Sequence, residues 1–148
     1  MNNLLKIALV TGTIALVSSV AVAQSSYGSG SKAHSAKAKT SASFVKKRYN
    51  INGTWSVTEQ NGQQVIKFNN DFKTKGGPDL KVFLSSNSIS ELSGKSVIGS
   101  SLKLSVLKSN KGAQSYIIPA GVNLSDYKSV VIHCEAFSVL WGGFDLAE

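Results

Sequence analysis

From Tyr49 onward the chain is a succession of short β-prone runs, each broken by Gly, Asn, Ser or Pro after about 8 to 15 residues, and this spacing constrains the fold more than any other feature. No window carries a sustained helical period, and no segment repeats. The pattern predicts an all-β domain, an antiparallel sandwich or barrel. Its clearest local signal is Asn61-Gly62, two residues that tolerate positive φ, between Trp55-Ser56-Val57-Thr58 and Val65-Ile66-Lys67-Phe68. That arrangement predicts a hairpin. Further strands are expected at Leu80 to Leu84, after the Gly76-Gly77-Pro78-Asp79 turn, and at Gln114 to Ile118. Ser129 to Leu140 reads as one long strand with a bend or bulge. Ser101 to Leu107 alternates, placing Leu102, Leu104 and Val106 on one face and Lys103 and Ser105 on the other. Helical turns are expected only at Ser88 to Leu92 or Leu124 to Tyr127.

The amino-terminal region differs. Lys6, the apolar run Ile7 to Val20 and Ala21-Val22-Ala23 before Gln24 have the three parts of a cleaved signal peptide, residues 1–23. The run is shorter than the roughly 20 residues of a membrane span. No later stretch is apolar enough to span, and no cysteine stands at the cleavage point to take a lipid. The expected mature chain is a soluble periplasmic or extracellular protein and not a lipoprotein.

Residues 24–48 are expected to be a flexible Ser/Ala/Lys-rich linker, because so few large apolar side chains cannot offset the entropy of ordering. A single folded domain, 49–148, follows. The formal net charge of +8 concentrates in the linker: Lys32, Lys37, Lys39, Lys46, Lys47 and Arg48 all precede the first acid, Glu59. Two roles fit such a segment, a solvated spacer or a polycationic arm that touches an anionic surface. With no aromatics interleaved in the basic stretch of an exported chain, nucleic acid is not an expected partner.

Cys134 is the only cysteine. In an exported domain, where cysteines normally pair, a lone thiol is open to four roles: an intermolecular bridge, a reactive thiol, a ligand or an inert core side chain. Its register with Val130 and Ile132 favours the core. His133, beside it, suggests a nucleophile with its base or a metal chelate. Successive strand side chains face opposite ways, however, so the pair meets on one centre only at a bulge. By itself, His133 reads as a surface residue of a strand. Asp71 and Asp79 bracket the Gly77-Pro78 loop as a carboxylate pair, calcium ligands or turn caps. Trp55, Tyr116, Phe137 and Trp141 line a groove or fill the core. The sequence has no C-x-x-C-H, no C-x-x-C and no spaced His/Asp cluster, so a haem or redox metal would depend on Cys134, His133 or a tyrosine. No serine, histidine and acid arrangement points to a conventional hydrolase.

Taken in order, Asp71-Phe72, Gly77-Pro78-Asp79-Leu80 with Val82 and Leu84, Lys111-Gly112-Ala113-Gln114 with Tyr116 and Pro119, and Tyr127 with Val130, Ile132, Cys134, Phe137 and Val139 resemble the DM-thirteen domain family. The resemblance covers about Tyr49 to Leu146. It implies an extracytoplasmic β-sandwich proposed to take part in electron transfer, with Cys134 at the family's characteristic position as a redox thiol or a holder of a prosthetic group such as haem. It also implies a redox partner protein in the envelope. His133 stands where the family often has tryptophan, and Phe144 where a small residue is usual. The expected function is therefore an exported redox module working through Cys134. The alternative is a non-enzymatic envelope or cell-surface binding module using the Asp71 to Asp79 loop, with Gly77, Pro78, Tyr116, His133 and Trp141 as candidate binding residues.

Overall fold

The computed structural model describes residues 39–147. The expected signal peptide and the linker as far as residue 38, with His34, Lys32 and Lys37, lie outside the described residues. Among the described residues eleven strands form two main antiparallel sheets and one small ribbon. The first has four strands in the order β1 (Lys39–Ser43), β4 (Thr54–Gln60), β5 (Gln63–Phe68), β9 (Gln114–Ile117). The second has five, in the order β2 (Val45–Lys46), β11 (Val139–Asp145), β10 (Ser129–Cys134), β7 (Leu80–Ser85), β8 (Ser101–Val106). A small ribbon pairs β3 (Ile51–Asn52) with β6 (Lys73–Thr74). The fold is the expected all-β sandwich.

The β4–β5 hairpin forms where Asn61-Gly62 predicts it. Both residues have positive φ, 51° and 75°, and Gln60 pairs with Gln63 across the turn. Between the sheets lies one large core, with Trp55, Ile66, Phe68 and Tyr116 from the first facing Val82, Leu84, Val130, Ile132, Cys134 and Phe144 from the second. Phe44 joins β1 to β2 and its ring meets Phe68, Phe72 and Phe144 at centroid distances of 5.1, 5.2 and 5.2 Å. Residues 39–48, expected on composition to be linker, thus begin the fold, because one aromatic side chain ties this polar stretch to the core.

Three other expectations give way to observed structure. Ser129 to Leu140 is not one strand. β10 ends at Cys134, a 3-10 turn spans Glu135–Phe137, Ser138 takes the left-handed conformation (φ 51°) and β11 returns antiparallel. The turn, Glu-Ala-Phe-Ser, has none of the usual Gly, Pro or Asn markers. In β8 a register shift leaves Leu104 without a partner, with Ser105 opposite Val82 and Lys103 opposite Phe83. This bulge reverses the strand's parity and sends Val106 to the outer face, where it is 61 % exposed.

A helix, α1 (Gly94–Ser100), covers the outer face of the five-stranded sheet, although its two turns are too short to show a helical period. Ser93 and Ser96 form its capping box. Beneath it, Phe83, Ile89, Leu92, Val97, Val131 and Leu140 make a second small core. β10 is consequently buried on both faces along its whole length. Of the expected helical turns, Leu124–Asp126 forms as a 3-10 segment. No helix among the described residues is long and apolar enough to cross a membrane.

Candidate functional site

The carboxyl end of β10 brings Cys134 and His133 to opposite layers of the molecule. Cys134, opposite Leu80 of β7 and Val139 of β11, is fully buried in the inter-sheet core and carries a free thiol. A bulge does occur beside it, but on β11: Ile132 pairs with Gly142 and His133 with Leu140, leaving Trp141 as the extra residue. β10 itself keeps an unbroken register with β7. His133 and Cys134 therefore cannot serve one centre as base and nucleophile or as paired ligands.

His133 is not a surface residue but fully buried under α1. Its ring stands edge-on to Phe83, 5.8 Å between centroids, and its Nε2–H donates to Gly94 O at 2.7 Å. This bond fixes the tautomer and leaves Nδ1 buried with no partner. Burial pushes the imidazole below its ordinary 6.5, against the opposing effects of the Gly94 carbonyl, Glu135 and Asp79. The sequence permits this approach through Gly94, where a Cβ would lie 1.8 Å from Ser138 O.

At the strand's end the turn is latched by charge. Glu135 N–H donates to Asp79 O at 3.1 Å. The Lys81 ammonium pairs with both the Glu135 and Asp79 carboxylates, and Lys103 reaches Glu135 at 2.9 Å. Lys81, then Lys103, hold the Glu135 carboxyl down to about 2, while Glu135 and then Asp79 raise the Lys81 ammonium above 10.5. Within this network Asp79, in the turn before β7, and Lys81, the second residue of β7, are near neighbours in sequence. Its third member, Glu135, is brought in only by the hidden turn.

The remaining candidate residues do not converge. Asp71 caps a loop, its Oδ1 accepting from both N and Oγ1 of Thr54 at 3.0 Å. Asp79 belongs to the latch. Tyr116 is a core residue whose hydroxyl donates to Gln114 Oε1 at 2.6 Å and accepts from Lys108 N at 3.2 Å, and burial pushes its phenol up to about 12. Gly77 and Trp141 do meet: a Cβ at Gly77 would stand 3.0 Å from the indole, whose Nε1–H donates to Lys75 O at 2.9 Å. Pro78 sits in the exposed turn leading from that contact to Asp79. Phe137, expected with the groove or core aromatics, is 69 % exposed on the latch turn.

A thiolate ligand to haem or a redox metal needs an open face above the sulfur and further donors around it. Cys134 has no exposed surface, His133 faces the other layer with Nε2 engaged, and no three His, Cys, Asp or Glu side chains cluster among the described residues. The residues around Cys134 do not fit a haem or metal centre.

A family model described as electron transfer DM13 matches residues 43–146. The chain belongs to the DM13 family. No curated protein and no solved structure shows a significant match. The DM13 match starts one residue before Phe44 and ends at Leu146, both members of the inter-sheet core, so it spans the sandwich from the end of β1 to just past β11. Membership associates the domain with electron transfer in general terms.

Proposed function

We propose that this DM13 domain is an exported redox module in which Cys134 is a gated thiol that exchanges with a disulfide of an envelope partner protein. The observation that carries the proposal is the position of the only cysteine: it is the last residue of the central strand, buried but adjacent to a latched turn, in a family described as electron transfer. Export rests on the amino-terminal sequence pattern.

In the exchange, the Cys134 Sγ thiolate attacks one sulfur of the partner's disulfide. A new Sγ–S bond forms, the partner's S–S bond breaks, the second partner sulfur leaves as thiolate and the Cys134 proton passes to water. A lone cysteine has no internal thiol to resolve the mixed disulfide. A dithiol on a second protein does so: one thiolate attacks Cys134 Sγ and displaces the first partner's sulfur as thiolate, and the other closes the second protein's own disulfide. Cys134 is released and takes back a proton from water, so two electrons pass from the second protein to the first through this carrier. Because the sulfur is enclosed, attack requires the Glu135–Ser138 turn to lift, and the ion network sets how often that happens.

Alkylation kinetics test this. A gated thiol reacts in native buffer faster than global unfolding allows, and faster still when Glu135→Gln weakens the latch. Labelling only at the rate of global unfolding in both proteins would overturn the gate. A Cys134→Ser variant that stays folded and still transfers electrons would overturn the thiol's role. A visible chromophore on protein purified from its own envelope, lost in Cys134→Ser, would replace thiol exchange by ligation.

A further inference from the structure

Away from Cys134, exposure alternates along residues 46–52, which run from β2 through a bend into β3. Lys46, Arg48, Asn50 and Asn52 are exposed, whereas Tyr49 is half-buried and Ile51 buried. In the adjoining segment Lys73 and Lys75 are exposed and Thr74 is buried. β3 pairs with β6, Asn52 opposite Lys73 and Ile51 opposite Thr74, and the Thr74 hydroxyl donates to Asn50 O at 3.0 Å. The two outward sets therefore rim one cleft of about 590 Å³.

Four cations and no acid line this cleft. Among the described residues none of the four takes part in an ion pair, although eight acids are present in the chain. Its floor is fixed. Tyr49 packs on Trp141 with centroids 4.1 Å apart, and Lys75 Nζ lies 4.9 Å above the Tyr49 ring. Four like charges converging on a concave, held surface repel one another and focus a positive potential that an anion relieves.

We propose that this cleft is a binding site for a phosphoryl-bearing polyanion, independent of the thiol. A phosphoryl group brings about 1.5 to 2 negative charges against one for a carboxylate, so two such groups match the four cations. The Arg48 guanidinium offers a bidentate fork, the lysines act as point charges, and the Asn50 and Asn52 carboxamides supply neutral donors. The cleft volume suits a diphosphate-sized headgroup within the usual range of small-ligand sites. A free phosphorylated compound and the phosphates of an anionic lipid surface share this chemistry.

Titration of the full chain with inorganic pyrophosphate, followed by amide shifts at constant ionic strength, tests the site. Saturable shifts confined to residues 46–52 and 73–75 are expected, with affinity falling more than about tenfold in Arg48→Gln/Lys73→Gln through two lost charge-assisted contacts. The charge-matched control Lys95→Gln/Lys128→Gln, both exposed and outside the cleft, keeps its affinity. Absence of saturation up to about 10 mM, or equal loss in the control, would overturn the proposal. Sedimentation with phosphatidic acid vesicles, whose headgroup is a phosphate monoester, against phosphatidylcholine, names the source. Cleft-dependent vesicle binding supports a lipid phosphate, and saturation by pyrophosphate without vesicle binding supports a free one. Cys134→Ser leaves either result unchanged, so this site and the redox role fail separately.

Discussion

His133 and Cys134 are consecutive in β10 yet belong to different cores: the thiol lies between the sheets, and the imidazole lies under α1 with Nε2 bonded to Gly94 O. Both are fully buried, and their separation follows from strand parity that the neighbouring bulge, carried by β11, does not disturb. Cys134 thus has no acid–base partner on its own strand. In the gated-thiol proposal, activation comes from motion of the turn that follows it.

Replacing Cys134 tests the quality of its packing. Cys134→Ser puts a hydroxyl into an apolar core and is expected to cost about 1–3 kcal/mol, because a buried donor without a partner loses its bonds to water. Cys134→Ala leaves only a small void and should be the milder change. Urea unfolding of the two variants measures the order. Serine proving as stable as wild type would mean a polar partner reaches the site.

The buried imidazole makes stability pH-dependent. His133 has a folded value below 6.5, so the unfolded chain binds the proton more readily. Its contribution is complete above 6.5 and is lost as pH falls through the interval down to the folded value. Glu135, at about 2, does not titrate there, and the only other histidine, His34, precedes the described fold. The thermal midpoint of wild type should therefore drop from pH 7 to pH 5.5, and the drop should shrink in His133→Gln. Parallel curves for the two proteins would remove the assignment.

The latch has the opposite chemical identity. Glu135 is lowered from 4.5 to about 2, so its stabilisation is present above 4.5 and lost as pH falls toward 2. Glu135→Gln should flatten that acid limb. Among single lysine variants, Lys81→Gln should lower the thermal midpoint more than Lys103→Gln, since the Lys81 side chain is 17 % exposed and that of Lys103 is 49 % exposed. Added salt should narrow the difference.

The architecture was legible wherever a local signal and the tertiary contact agree. Asn61-Gly62 dictates its hairpin, and Val130, Ile132 and Cys134 share the face that their spacing assigns. What stayed hidden depends on contacts distant in sequence. Phe44 ties a polar stretch into the core through Phe68, Phe72 and Phe144. α1 turns a one-sided strand into a buried one and takes His133 off the surface. The cationic cleft needs Lys46 and Arg48, which composition assigns to the linker, to stand beside Lys73 and Lys75. Of the candidate site, the separation of His133 from Cys134 was readable by parity. The latch was not, since Glu135 reaches Lys81 and Lys103 only through a turn without Gly, Pro or Asn.

The bulge in β8 offers the sharpest test of that difference, because one substitution gives opposite outcomes under the two arrangements. Regular alternation puts Val106 on the same face as Leu102 and Leu104, so a hydroxyl there would be buried. The observed register places Val106 opposite Lys81 on the outer face, 61 % exposed, whereas Val82 is fully buried between the sheets. Val106→Thr should accordingly change stability by no more than about 0.5 kcal/mol, as exposed substitutions do. Val82→Thr makes the same near-isosteric exchange but strands a hydroxyl in the core, and should cost about 1–3 kcal/mol. Because the chemistry is identical, the difference between the two unfolding free energies isolates burial. Equal, large losses at both positions would show that the strand keeps its alternation and that Leu104 pairs without a bulge.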